Sequence, residues 1–392
     1  MLHVNPAVAG VVDPPVTAAK RWIEHATMTP DTPLLDLSQA VPSYPPAPEL
    51  RAFLAEVVRR PDTSGYAPVA GLRHTRDAVA SHFARAYGAI GQVHADDVMI
   101  TTGCNQAFCL AVGALCGPGD EVVLPTPYYF NHDMWLHACR VGAVHLALSA
   151  EHSMVPDPTA VEELITARTR AIVLVTPNNP CGVTYPPEVI EAVFDIARQH
   201  GIALILDETY KDFRSTTDPP HGLFARAGWR DTLVHLYSFS KMLSLAGYRA
   251  GSLVAAPHVL DAAAKLADCE TIGAPRVSQE AVAFGLSAAV EPWVEDRRRA
   301  MCERVELLDR EMAAAPGGFE VVTSGAFFAY VRHPFGTEGA AAVARRLAVE
   351  HNLLTIPGDA FGRGQDRYLR LAFGNVDGNG ISAAAERLAS CH

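Results

Sequence analysis

"LVHLYSFSKMLSLAGYRAGSLVAA", residues 233–256, sets two short apolar runs, 233–239 and 251–256, on either side of a polar segment with a single lysine. Neither run alternates apolar with polar side chains. A strand that is apolar all round must be covered on both faces, as in a mostly parallel sheet with helices on each side. The same texture recurs at 97–102, 121–125, 143–148, 171–176 and 202–208. Between two of these runs, "PEVIEAVFDIARQH" (187–200) lines Val189, Ile190, Val193, Ile196 and Ala197 along one helical stripe. Seven strand candidates alternating with helices predict an α/β fold whose large domain holds a mostly parallel seven-stranded sheet sandwiched by helices.

The rest of the chain divides around that unit. Residues 1–45 are proline-rich and read as an irregular arm, 46–284 as the large domain and 285–392 as a smaller α+β domain. The last part opens on a helical stretch, "VEPWVEDRRRAMCERVELLDREMAAA" (290–315), followed by strand candidates "FEVV", "AFFAYV", "NLLTI" and "YLRLAF". With 392 residues, 49% hydrophobic and 19% charged, the chain has ample core material, and a net charge of −11 argues against a nucleic-acid surface. Its eight cysteines form no CxxC pair or zinc-spaced cluster, so no metal site is expected. Their free thiols suit a reducing compartment. No signal peptide and no membrane-length apolar run is legible, and the expected location is the cytoplasm.

Polar residues gather where strands end, which is where sheets of this kind bind ligands. "TTGCNQ" (101–106) supplies Gly103, Cys104 and Asn105 at a helix start whose amides can hold a phosphate, though a glycine turn is ordinary there. "PTPYYFNH" (125–132) offers aromatic rings that either stack on a planar ligand or simply pack. "TPNNPCG" (176–182) is a good turn former that also presents amides. "DETY" drops Asp207 and Glu208 onto an apolar strand, where an acid is costly unless something pairs with it, and Tyr210 follows. In "SFSK" and beyond, Ser238, Ser240 and Arg249 suit an anion. Only four of the 32 basic residues are lysines, so Lys241 is a candidate for what arginine cannot do, namely lose a proton and act as a nucleophile. Arg370, amid an apolar strand, needs an anionic partner, from the chain or from a ligand. A lysine imine partner, an acid for a pyridinium nitrogen, Asn and Tyr donors for a phenolate oxygen and a Ser/Ser/Arg phosphate cup together describe a pyridoxal 5'-phosphate site.

NNPxG (178–182), DExY (207–210), SFSKxxxLxGxRxG (238–251) and YxRLxF (368–373), in this order across nearly the whole chain, resemble the fold-type I, class I/II, aspartate-aminotransferase-like family. The resemblance implies a pyridoxal-phosphate-dependent aminotransferase exchanging an amino group between an α-amino acid and a 2-oxo acid. It also implies a small domain made from both chain ends and a homodimer with shared active sites. By motif, Lys241 is implied as the Schiff-base lysine and proton carrier, and Asp207 as the partner of the pyridinium nitrogen. Tyr210 and Asn179 are implied at the phenolic oxygen, and Tyr129 as the stacking ring. Ser238, Ser240, Arg249 and the backbone of Gly103, Cys104 and Asn105 are implied around the phosphate, together with Tyr66 from the partner subunit. Arg370 and Asn179 are implied at the substrate carboxylate, beside Ala40.

Ala40 stands where the family commonly has glycine, Cys181 where it has threonine, and Cys104 where Gly, Ala or Ser is frequent, so that its amide rather than its thiol is expected to matter. No arginine is legible for a distal substrate carboxylate. Side-chain selectivity is expected from Pro14–Thr17, the 128–130 aromatics and the partner subunit. A C–S β-lyase or another non-transaminating enzyme of the same fold is the alternative. A PLP-binding transcription regulator would need more than the roughly 30 residues preceding the matched region, and a dehydrogenase would need the GxGxxG fingerprint, which is missing.

Overall fold

The computed structural model describes residues 2–30, 32–314 and 317–391. Strand β1 (Leu35–Asp36) precedes seven strands that form one sheet. These are β2 (Val98–Thr101), β3 (Glu121–Thr126), β4 (Gly142–Ala147), β5 (Thr169–Val175), β6 (Ala203–Asp207), β7 (Leu233–Ser238) and β8 (Gly251–Val254). Their spatial order is β2-β8-β7-β6-β5-β3-β4, with β8 antiparallel to both neighbours and the other pairings parallel. Every residue of β2, β7 and β8 is buried, as their unbroken apolar character requires. Edge strand β4 is largely exposed on its open side.

Helices cover both faces. Pro187–His200 buries Ile190, Val193, Phe194 and Ala197 and stops at Gly201, whose φ of 64° few other residues adopt. Phe194 joins the predicted stripe, while Val189 and Ile196 sit at its half-buried margin. One face of the sheet packs Phe83, Phe194, Phe224 and Trp229, and the other packs Phe108, Leu136 and Leu260.

A second, antiparallel sheet follows the long helix Glu291–Ala314, with β9 (Glu320–Gly325), β10 (Phe328–Arg332), β12 (Ile356–Pro357) and β13 (Tyr368–Leu371) in the order β12-β13-β10-β9. The last residue of the predicted helical stretch, Ala315, lies outside the described residues. Strand β11 (Leu353–Leu354) pairs in parallel with β1, which ties the early chain to the late one. The first 45 residues are more regular than their proline content suggests. Helices Pro6–Ala9 and Pro15–Lys20 each begin on a proline, where the missing N–H costs nothing and the fixed φ suits a helix start. Among the described residues no helix is long and apolar enough to cross a membrane.

The turn of "NNPCG" joins the two sheets. Gly182 has φ 74°, and a Cβ there would lie 2.5 Å from Gly325 O and 2.6 Å from Phe328 O. Thr323 Oγ1 donates to Cys181 O at 2.9 Å beside it. Both obstacles at Gly182 are backbone and cannot swing aside, so Gly182→Ala is expected to destabilise the protein by about 2 kcal/mol or more. The check is a lowered denaturant midpoint relative to wild type.

Candidate active site

The carboxyl ends of β2, β3, β5, β6 and β7 open into one cavity of about 490 Å³. Ala40, Cys104, Asn105, Tyr129, Asn179, Asp207, Tyr210, Ser238, Ser240, Lys241, Arg249 and Arg370 all line it. Two expected residues do not. Gly103 lies just behind the wall, and Tyr66 is 79% exposed outside the cavity.

Lys241 sits in the single helical turn Phe239–Met242, whose start is capped by Ser238 Oγ accepting from Ser240 N at 3.3 Å. Its Nζ donates to Ala40 O and lies 6.0 Å from the Tyr210 ring centre. Burial, with the charges of Arg249 and Arg370 adding to it, brings the Lys241 amine down to about 8. Ser240 Oγ is buried without a hydrogen-bond partner. Such an orphan in a cavity wall is an acceptor's place.

Arg249 adopts the left-handed region at φ 54°, which folds its side chain back over the start of helix Cys104–Leu115. Its guanidinium donates to Ala246 O at 3.1 Å and Thr102 O at 3.2 Å. Gly103 has φ 89°, which favours glycine, and a Cβ there would lie 2.4 Å from Arg249 Nη2 and push the guanidinium aside. No side chain caps this helix start, which leaves the Cys104 and Asn105 amides facing the same corner as Ser238, Ser240 and Arg249. This is a cradle for a dianionic group.

Asp207 ends β6 with 4% exposure. Burial alone raises its carboxyl; the His132 imidazole and the hydroxyl and amide of Thr209 outweigh burial and hold it below the ordinary value. Thr209 N donates to Oδ1 at 3.0 Å, and His132 Nε2 stands 3.5 Å from Oδ2. His132 stacks on Phe108 with ring centres 3.9 Å apart. Neither His132 nor Thr209 was assigned a role from sequence. The signals available were the spacing of His132 three residues after Tyr129, and a threonine two after an acid, which is a local turn pattern. The Cys104 thiol faces Asp207 and Thr209, and burial with the neighbouring carboxylate pushes it well up, so it stays protonated.

On the facing wall Tyr210 packs against Phe328, ring centres 5.0 Å apart, and burial raises its hydroxyl. Tyr129 OH donates to Asn105 Oδ1 at 3.3 Å, and burial holds it up at about 12. The two asparagines divide their work. Asn178 braces the turn, accepting from Cys181 N at 3.0 Å and donating to Tyr185 OH at 3.1 Å. Asn179 faces the cavity and accepts from Arg370 Nη1 at 3.0 Å. Arg370, on β13, is 2% exposed and also donates to Ser38 O, while its Nε is unpartnered. Burial depresses its guanidinium to about 10. Among the described residues no carboxylate ion-pairs with it, so the internal salt bridge open from sequence is not formed.

These donors fit pyridoxal phosphate: an ionised acid on one wall, an amine lowered to about 8 in the same cavity, a cradle of orphan donors at one end and an unanswered guanidinium at the other. The family model for aminotransferase class I and II matches residues 32–388. An aspartate/prephenate aminotransferase of Thermus thermophilus is 31% identical, over 85% of this chain and 86% of its own. An arginine–pyruvate transaminase of Pseudomonas aeruginosa is 30% identical, over 91% and 90%. Among solved structures, the aspartate aminotransferase of Thermus thermophilus with maleate superposes over 99% of both chains, at TM-score 0.89 and 26% identity. An aminotransferase of Mycobacterium tuberculosis does so over 100% and 99%, at TM-score 0.88 and 25% identity. The chain belongs to the class I and II aminotransferases, pyridoxal-phosphate-dependent enzymes that move an amino group between an α-amino acid and a 2-oxo acid.

Proposed function

We propose that Lys241 is the covalent anchor and proton carrier of this aminotransferase. The observation that carries the assignment is its amine, depressed to about 8 and set in one cavity with the ionised Asp207 and the unanswered Arg370. Pyridoxal phosphate, when bound, supplies an electron sink that loosens the bond from the substrate Cα to its hydrogen. Asp207 would hold a proton on the ring nitrogen and so keep that sink open. Tyr210 and Asn179 meet the ring oxygen, and Tyr129 stacks on the ring. Ser238, Ser240, Arg249 and the amides beside Gly103 take the phosphate. Arg370, with Asn179, fixes the substrate α-carboxylate so that Cα faces Lys241 Nζ, and Ala40 borders that position. With its amine free, Lys241 would take up and carry the proton of the substrate Cα.

The same proposal includes a division into an N-terminal segment 1–45 shared with the small domain, a large domain 46–284 and a small domain 285–392. It also includes a homodimer in which Tyr66 reaches the partner's phosphate. Support comes from Tyr66, Tyr248 and Ile272, exposed apolar residues gathered at the start of helix Arg276–Gly285. Arg276 Nη2 donates to Tyr66 O at 3.5 Å and Ser278 Oγ to Tyr248 O at 2.6 Å. Such grouping marks an interaction surface. Eight free cysteines support a cytoplasmic location.

Borohydride reduction of the loaded enzyme followed by peptide mass analysis is expected to find the phosphopyridoxyl mass on the peptide holding Lys241, and on no peptide in Lys241→Ala. A different lysine carrying the mass sinks the assignment.

Only the neutral amine attacks a carbonyl. A lysine at about 8 is neutral in about one molecule in ten at pH 7, against fewer than about one in a thousand for an ordinary lysine. The rate of cofactor attachment to the apoenzyme is therefore expected to rise with pH and level off above about 8. Stopped-flow absorbance reads this, and a rise continuing past pH 10 contradicts it.

Light scattering is expected to give twice the chain mass. Tyr66→Ala is expected to weaken cofactor retention by roughly tenfold or more, the loss of a hydrogen bond to a charged group, while leaving the dimer mass unchanged.

A further inference from the structure

Beyond the Lys241–Arg370 axis, the cavity continues against the N-terminal segment, where Pro14, Val16, Val41 and Phe130 line it with the neutral amides of Gln39 and Asn131. This wall runs on from the carboxylate anchor. The Arg370 guanidinium lies 5.1 Å from the Phe361 ring centre, and Phe361 lies 5.7 Å from Phe130. Val16 packs against the same apolar cluster, with Phe130, Phe361, Leu354 and Ile356.

Among the described residues of this chain, the cavity's cations are committed elsewhere. Lys241 meets Ala40 O, Arg249 faces the phosphate cradle, and Arg370 holds the α-carboxylate position. Behind Gln39 the Lys20 ammonium donates to Gln39 Oε1 at 3.4 Å and stands 3.9 Å from Asp36, so its charge is answered within the chain. A second carboxylate on the substrate would leave water for apolar surface without a counter-charge, which is strongly unfavourable. A hydrocarbon side chain in the same place gains from every methylene it buries.

We infer that the amino-acid substrate carries an uncharged, apolar side chain of the leucine, methionine or phenylalanine kind, seated against Pro14, Val16, Val41 and Phe130. The inference rests on the roles given above to Lys241 and Arg370. It separates this chain from the two aspartate-named relatives, whose names specify a dicarboxylic amino acid.

Two measurements on the holoenzyme and one on a variant test it. By titration calorimetry, 3-phenylpropionate is expected to bind at least about tenfold more tightly than maleate, since a hydrophobic wall discriminates by about that factor per methylene. Equal or tighter maleate binding overturns the inference. In half-reactions, leucine, methionine and phenylalanine are expected to exceed aspartate and glutamate by at least about a hundredfold in kcat/KM. A dicarboxylic preference with normal turnover sinks the side-chain inference alone, whereas no turnover with any amino acid overturns both it and the reading of Lys241. Val16 is half-buried in a short helix at the edge of that cluster, so Val16→Lys is compared with wild type at equal holoenzyme content. It is expected to move the phenylalanine-to-aspartate ratio toward aspartate by at least about tenfold, and an unmoved ratio counts against the wall.

Discussion

Two adjacent acids at the end of β6 organise the structure around them. Asp207 and Glu208 are 4% and 1% exposed and point to opposite faces of the sheet, so each requires its own set of donors. On the cavity face Asp207 has Thr209 and His132. On the other face Glu208 Oε2 receives Tyr87 OH, His235 Nε2 at 3.0 Å and His221 Nε2 at 3.1 Å. Leu223 N donates to His221 Nδ1 at 3.2 Å, which fixes the tautomer: the hydrogen is on Nε2, where Glu208 needs it. Removing either set leaves a charge buried in apolar surroundings. Elements above and below the sheet are thereby tied to one strand end, and the position of Asp207 follows from that.

The cavity's cations then set its chemistry. Lys241, Arg249 and Arg370 share a space with a single ionised acid, Asp207. Burial, with repulsion from the two arginines added to it, lowers Lys241 to about 8, while the arginines keep their protons. A phosphate and a carboxylate relieve this imbalance, one at each end. The amine between them is left nucleophilic by the same charges that attract the anions.

Much of this was legible because it is local. Seven apolar runs became seven strands because a strand buried on both faces has no reason to alternate. Lys241, Asp207 and Asn179 are legible as polar residues at or just beyond the ends of such runs, and Arg370 as a charge amid an apolar one. His132 was quoted within its stretch but had no visible partner, since Asp207 is brought to it by the order of strands, not by sequence spacing. The same holds for Tyr87, His221 and His235, which meet only at Glu208. The early helices were hidden by prolines that usually break structure and here begin it. Tyr66 was legible only through family likeness, and within one chain it touches nothing in the cavity.

Arg370 shows why the site needs two sheets. It belongs to β13 of the smaller sheet, yet Nη1 reaches Asn179 at the end of β5 and Nη2 reaches Ser38 O on the early chain. A planar fork can serve both and still present an edge to a carboxylate; a lysine point charge cannot. On the roles proposed for Arg370 and Lys241, a substrate anchored there would turn its Cα toward Lys241 and its side chain toward the remaining wall of the cavity. That direction runs along Phe361 and Phe130 to the N-terminal segment. On that proposal, the residue that would recognise what all amino acids share would also direct what distinguishes them onto an apolar wall.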